Sequence, residues 1–228
     1  MVTLLLATRN AHKVKEIRAI LGEQLCYLTL NEYPDSPQVN EDAPDFAGNA
    51  LKKSVQLAKW LRASHRSTNL SEVSVLADDS GLEVTALNGA PGVHSARFAT
   101  FGKGQGGNAS DAANCAKLLD LLRDVPFERR TARFRCVIAL TPVTEPSTPS
   151  ASPVCYADEL EILSELFEGT CEGHIGFEPR GKGGFGYDPL FIPEGYEQTF
   201  AELGEEVKNK FSHRARALEK LSMRLKLG

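Results

Sequence analysis

Two adjacent carboxylates, Asp78 and Asp79, close the apolar run in "SEVSVLADDSGLEV". Neighbouring side chains on a strand point to opposite faces. One aspartate can therefore face a ligand while the other holds the turn or a nearby helix. An aspartate so placed suits Mg²⁺, which takes hard oxygen ligands and keeps water and substrate phosphates in its shell. A turn-capping Asp-Ser pair would read the same way. A second group stands near the amino end. "LLLATRNAHKVKEI" passes from a strand through Thr8, Arg9 and Asn10 into a helix that opens Ala11, His12, Lys13, with Lys15 close behind. Cations are misplaced at the positive end of a helix dipole. An external anion would resolve the conflict, because the unpaired N–H groups of a helix start bind phosphate. A surface helix with solvated lysines is the alternative, and the G-x-x-x-x-G-K-[ST] phosphate loop is absent.

Two later stretches carry further candidates. In "PRGKGGFGYDPLF" glycines let backbone approach a ligand closely, and Phe185 and Tyr187 flank Gly186. An aromatic ring in that setting can stack on a planar base. Asp188, extended by the proline after it, can accept from ring N–H groups. A glycine-rich hairpin with core aromatics is the competing reading. In "EEVKNKFSHRARAL" Ser212 is a credible N-cap, which sets His213 and Arg214 at another positive helix end, with Lys208 and Lys210 just before. Lys53, inside a helix, and Glu41, in an acidic loop, are weaker candidates taken alone.

The composition narrows the field. The chain has 228 residues, 30 acidic against 26 basic, for a net charge of −4, which argues against a general nucleic-acid binder but leaves room for a local cationic pocket. Its length suits one large domain or two lobes sharing a core. Five cysteines, at 26, 115, 136, 155 and 171, are odd in number and form no C-x-x-C, which reads as inert thiols in a reducing compartment. No run approaches the roughly 18 apolar residues of a membrane span, and the six-residue apolar start is too short for a secretion signal. The expected location is the cytoplasm.

The elements that must hold these residues follow from pattern. Val2 to Ala7 reads as a buried strand, Asn10 to Leu21 as a helix closed by Gly22, and Cys26 to Leu30 as a short strand. "NEYPDSPQVNEDAPD" is a loop. Phe46 to Arg62 is an amphipathic helix with Phe46, Ala50, Leu51, Leu57, Ala58 and Leu61 on one face. The next strand is expected to end at Asp78-Asp79, where ligands gather at strand carboxyl ends in open α/β sheets. Ser110 or Asp111 caps a helix to about Arg123, and Thr131 to Leu140 is a strand. "TPVTEPSTPSASPV" is expected to be a mobile link within a hairpin, Cys155 to Ile175 carries interrupted strand signals, and Ser212 to Leu227 is a helix. Helices alternate with strands early and strands cluster late, which predicts an α/β fold on a mixed sheet.

Taken together, the chain resembles the inosine/xanthosine triphosphate pyrophosphatases, which remove non-standard purine nucleotides. "TRNAHK" matches that family's T-x-N-x-x-K, "NALKK" its N-A-x-x-K, and "ADDSGLEV" with "GAPGVHSARFA" its central block; "PRGKGGFGYDPLF" and "SHRARAL" match its closing motifs. The resemblance spans nearly the whole chain, residues 1–228 as a single domain. It implies an elongated mixed β-sheet flanked by helices, with two lobes around a central substrate cleft, in a homodimer. It implies Mg²⁺-dependent hydrolysis of inosine, deoxyinosine and xanthosine triphosphates to the monophosphate and pyrophosphate, with no nucleic-acid polymer and no membrane as partner. By the same resemblance, the turn Thr8, Arg9, Asn10, Ala11, His12, Lys13 should cradle phosphates, joined by Lys53 and Lys208. Asp79 should be the catalytic carboxylate and a metal ligand, and Glu41 a second ligand. Ser80 should touch the substrate. Phe185 should stack on the base beside Gly186, Tyr187 and Asp188, and His213 and Arg214 should meet its exocyclic oxygen. A pyrophosphatase for modified pyrimidine nucleotides and a non-catalytic nucleotide-binding regulator are the alternatives.

Overall fold

A computed structural model describes residues 2–64, 73–102, 107–143 and 159–227. In chain order the elements are β1 (Thr3–Leu6), α1 (Ala11–Leu21), β2 (Cys26–Thr29), α2 (Phe46–Ala63), β3 (Val73–Val84), α3 (Asp111–Leu121), β4 (Thr131–Pro142), α4 (Glu159–Ile162), β5 (Glu165–Ile175), β6 (Phe191–Pro193), α5 (Phe200–Leu203), α6 (Glu205–Phe211) and α7 (His213–Leu225). The strands form one sheet in the order β2-β1-β3-β4-β5-β6. β1 pairs in parallel with β2 and β3, whereas β5 and β6 are antiparallel. The expected mixed α/β sheet is what the chain forms. Most of the "TPVTEPSTPSASPV" link and the centre of "FGKGQGG" lie outside the described residues.

The chain packs as two compact units. The first comprises Met1–Asp79, Val137–Phe167 and Leu221–Gly228, the second Ser80–Cys136 and Glu168–Lys220. In the first, Leu4, Leu5 and Leu6 of β1 are fully buried. A strand with parallel neighbours on both sides is covered on both faces, so it needs a continuous apolar run and not an alternating one. Leu5 and Ala7 pack with Val55, Leu57, Ala58 and Leu61 of α2 and with Val73, Val75 and Ala77 of β3. α2 starts where Asp45 accepts from the Gly48 N–H at 2.7 Å, a side-chain N-cap. Its buried stripe, Phe46, Ala50, Leu57, Ala58 and Leu61, also contains Asn49 and Lys53.

The second unit has its own core, in which Leu82, Val84, Phe98, Leu118, Phe134, Ile175, Tyr187, Leu190, Phe191 and Phe200 meet. One reading is corrected here. β3 does not end at Asp78-Asp79: it runs on to Val84 as a single strand. Leu82 and Val84 are fully buried, so the apolar pattern resumes beyond the aspartates and keeps the backbone extended. The two carboxylates therefore sit in mid-strand, and the argument from a strand's carboxyl end does not apply to them.

Candidate active site

In the first unit the Thr8–Lys13 turn is built around Asn10. Its backbone N–H donates to Thr8 Oγ1 at 3.1 Å, and its side-chain Oδ1 accepts from the N–H of His12 at 2.9 Å and of Lys13 at 3.3 Å. The Asn10 cap takes two of the helix-start donors expected to be free, those of His12 and Lys13. Arg9 donates to Ser36 Oγ at 2.9 Å. Lys13 forms an ion pair with Asp78, whose side chain is 1% exposed. The neighbour that secures local structure is thus Asp78, as alternation along a strand requires.

Asp79 points into a different set of contacts. Lys53, itself buried on the α2 stripe, donates to the Asp78 carbonyl at 2.8 Å and to Asp79 Oδ1 at 3.1 Å, and lies 3.3 Å from Glu41 Oε2. Asn49, one helical turn earlier, donates to Asp79 Oδ2 at 3.3 Å and accepts from the Ala43 N–H at 2.9 Å, so it ties the Glu41 loop to the strand. Burial pushes the Asp79 carboxyl up to about 6 against the pull of Lys53 and Lys13, and the Glu41 charge pushes the same way. Glu41 is held below its ordinary value: burial works against this, but the Lys53 charge and hydrogen bonds from Asp79 and Lys53 outweigh it. The two carboxyls are thus pushed apart, Asp79 up and Glu41 down, so Glu41 is the more acidic of the pair. Burial alone would lower Lys53, but the three acidic neighbours hold it charged.

In the second unit the glycine-rich loop folds around Asp188, which is 1% exposed. Its Oδ2 accepts from the Phe185 N–H at 2.9 Å and from Lys208 at 2.6 Å. Gly184 has φ +75° and no room for a Cβ against the Asp188 side chain, which explains glycine there. The Gly186 N–H donates to Asp111 Oδ2 at 2.7 Å, and Tyr187 OH donates to the Ser95 carbonyl at 2.9 Å. Tyr187 is a core residue and Asp188 holds Lys208; both build the loop from behind. Phe185 is half-buried, with the Lys208 ammonium 4.5 Å and the Arg214 guanidinium 5.8 Å from its ring centre. Arg214 donates to Ser80 Oγ at 2.8 Å, and the His213 ring stacks on Phe134 at 4.7 Å. Ser212 Oγ accepts from the Ala215 N–H at 3.2 Å, the expected start of α7. Lys208, expected with the other lysines, is bonded here to Asp188 and stands over Phe185.

A model of the Ham1 family matches residues 4–224. The chain belongs to the Ham1 family. It is 47% identical over 220 residues to a dITP/XTP pyrophosphatase of Desulforamulus reducens, covering 95% of this chain and 92% of that one. It is 46% identical to the dITP/XTP pyrophosphatase of Geobacter sulfurreducens, covering 96% and 94%. Among solved structures, a HAM1 protein from Coxiella burnetii superposes with a TM-score of 0.76 at 35% identity over the full length of both chains. The five motifs read from the sequence thus lead to the right family.

For a Ham1-family chain the donor set around Asp79 limits what cation could bind. Among the described residues no group of three or more His, Cys, Asp or Glu converges on one point. A zinc site or an all-protein calcium cage is therefore a poor fit. Two carboxylates that both reach the Lys53 ammonium suit a hard ion such as Mg²⁺, which draws its other ligands from water and phosphate. Sequence reading did not assign Asn49 or Asp111. Asn49 had a signal, since it falls on the apolar stripe of α2, as Lys53 does. Asp111 meets Gly186 across 75 residues, and nothing local in the sequence marks that contact.

Proposed function

We propose that this chain hydrolyses non-standard purine nucleoside triphosphates (inosine, deoxyinosine and xanthosine) to the monophosphate and pyrophosphate, with Mg²⁺, as a cytoplasmic homodimer. The observation that carries the reading is the Lys53 ammonium bonded to Asp79 and 3.3 Å from Glu41. A module that only binds a polyanion gains nothing from a buried carboxylate, Asp79, beside a partly exposed one, Glu41, because both repel phosphate. They belong where a divalent cation and a proton acceptor are both needed. Relatives named dITP/XTP pyrophosphatase support the same substrate class.

Asn10 and Lys13 would hold the phosphate chain, and Lys53 would keep the Asp79 and Glu41 carboxylates together. When bound, Mg²⁺ would supply charge neutralisation on the phosphates and a more acidic water. The water oxygen forms a bond to the α-phosphorus while the bond from that phosphorus to its bridging oxygen breaks. Pyrophosphate leaves with the electron pair, and the water proton passes to Asp79. A carboxyl shifted towards neutral is a better proton acceptor than an ordinary aspartate. In the second unit Phe185 would stack on the base. Arg214 can only donate, so it suits the 6-oxo acceptor of hypoxanthine or xanthine and leaves the 6-amino donor of adenine unmatched. Incubation with inosine triphosphate and Mg²⁺, read by phosphorus NMR, tests the reaction class. Monophosphate plus pyrophosphate is the expected result; diphosphate plus free phosphate would overturn it. Nucleotide binding without turnover would point to a regulator.

A further inference from the structure

Lys15 has no part in the reaction proposed above. At about 100° per residue it points roughly 160° away from Lys13 around α1. Lys13, Glu16 and Ile17 turn inward. Ala11, Val14, Lys15, Arg18 and Ala19 form the opposite stripe. That stripe lines a surface cavity of about 470 Å³, with Thr8 and Arg9 from the turn and Glu23, Thr29 and Asn31 from the β2 side. β2 is the edge strand of the sheet. Two small residues, Ala11 and Ala19, leave the space open. Three cations, Arg9, Lys15 and Arg18, line the cavity against one carboxylate, Glu23, with a second carboxylate, Glu32, bonded to the lining Thr29, in a chain whose net charge is −4. The Arg18 guanidinium stands 5.2 Å from the Tyr27 ring centre, which restricts where it can point. The Thr8 hydroxyl and the Asn31 amide add neutral donors around the cations, while the Thr29 hydroxyl donates to Glu32.

We propose that this cavity is a second anion site, taking a phosphate-bearing small molecule on the outer face of α1, apart from Lys13 and Asp78. Inorganic pyrophosphate and the phosphate tail of a second nucleotide share the chemistry required. The choice of these ligands rests on the proposed reaction, whereas the site does not. Thr8 and Arg9 belong both to this cavity and to the turn expected to hold substrate. Occupancy therefore slows turnover without displacing the base, and pyrophosphate becomes a mixed inhibitor.

The test is calorimetric titration of the full chain with inorganic pyrophosphate, comparing the native protein with Lys15→Gln/Arg18→Gln. The native protein should bind two equivalents. The double variant should bind one, since losing two charge-assisted contacts weakens a phosphate site by about tenfold or more. Its uninhibited kcat/KM should match the native value, and its inhibition by pyrophosphate should become purely competitive. A non-hydrolysable nucleoside triphosphate analogue separates the sources: uptake of pyrophosphate alone assigns the site to the free anion, and uptake of both assigns it to the phosphate tail. Equal stoichiometry and affinity in the two proteins overturns the proposal, as does displacement by sulfate at the same ionic strength. Arg18→Gln alone gives a second reading should the double variant fold poorly. Calorimetry reports on this site even if turnover is absent, so its failure is distinct from failure of the proposed reaction.

Discussion

Lys53→Met tests whether one ammonium holds the carboxylate pair. The substitution keeps the length of the side chain and removes its charge. Lys53 is 8% exposed and contacts the Asp78 carbonyl at 2.8 Å, Asp79 at 3.1 Å and Glu41 at 3.3 Å. At that separation and an effective dielectric near 20, one charge pair is worth about 5 kcal/mol before desolvation. Removing one member of a buried pair costs about 3–5 kcal/mol. The lower end applies here, because Asp79 already sits near neutral and can relieve its charge by holding a proton in the variant. With a urea dependence of about 3 kcal/mol/M, the unfolding midpoint should fall by about 1 M. The assay is urea unfolding followed by circular dichroism, with a chelator present, at neutral pH. Adding Mg²⁺ should then recover more stability in the variant than in the native protein, since two carboxylates without their lysine bind a cation more tightly. An unchanged midpoint would refute the reasoning, because it would mean that Lys53 contributes nothing to holding Asp79 and Glu41.

Three further outcomes are expected. Asp111→Ala removes the acceptor of the Gly186 N–H and loosens the Phe185 loop; one lost hydrogen bond of about 1 kcal/mol should raise KM about fivefold and leave kcat nearly unchanged in steady-state kinetics. Arg214→Ala should erode discrimination between inosine and adenosine triphosphates, measured as the ratio of their kcat/KM values; full retention of that ratio would remove Arg214 from base recognition. In metal-free protein the Asp79 carboxyl, raised from 3.8 to about 6, stabilises the fold below about pH 4 and loses that contribution as pH rises through 6. Between those limits the native protein should lose about 3 kcal/mol relative to Asp79→Asn, read from unfolding midpoints across pH.

Much of this was legible because the decisive patterns are local. A continuous apolar run predicts a strand with neighbours on both sides, and β1 is that strand. An amphipathic run before Gly22 predicts a helix from Asn10 to Leu21, and α1 spans Ala11–Leu21 with Asn10 as its cap. Alternation on a strand separates the tasks of Asp78 and Asp79, and their partners differ accordingly. The reading that β3 ends at the aspartates failed because adjacent polar residues resemble a turn; the apolar residues that follow decide otherwise. α5 and α6 are only 4 and 7 residues long, too short to show a period, and were not anticipated. The partner of Lys208, Asp188, is 20 residues away in the chain and was not read from the sequence. Charge alone does not reveal which acid a buried lysine will choose.

The central claim is that water attacks the α-phosphorus with Asp79 as proton acceptor. The direct measurement is turnover of inosine triphosphate with Mg²⁺ in oxygen-18 water, with mass analysis of both products. The account predicts the label in the monophosphate, none in the pyrophosphate, and a rate lower by about a hundredfold or more in Asp79→Asn. Label in pyrophosphate or in free phosphate, or full turnover by Asp79→Asn, would contradict it.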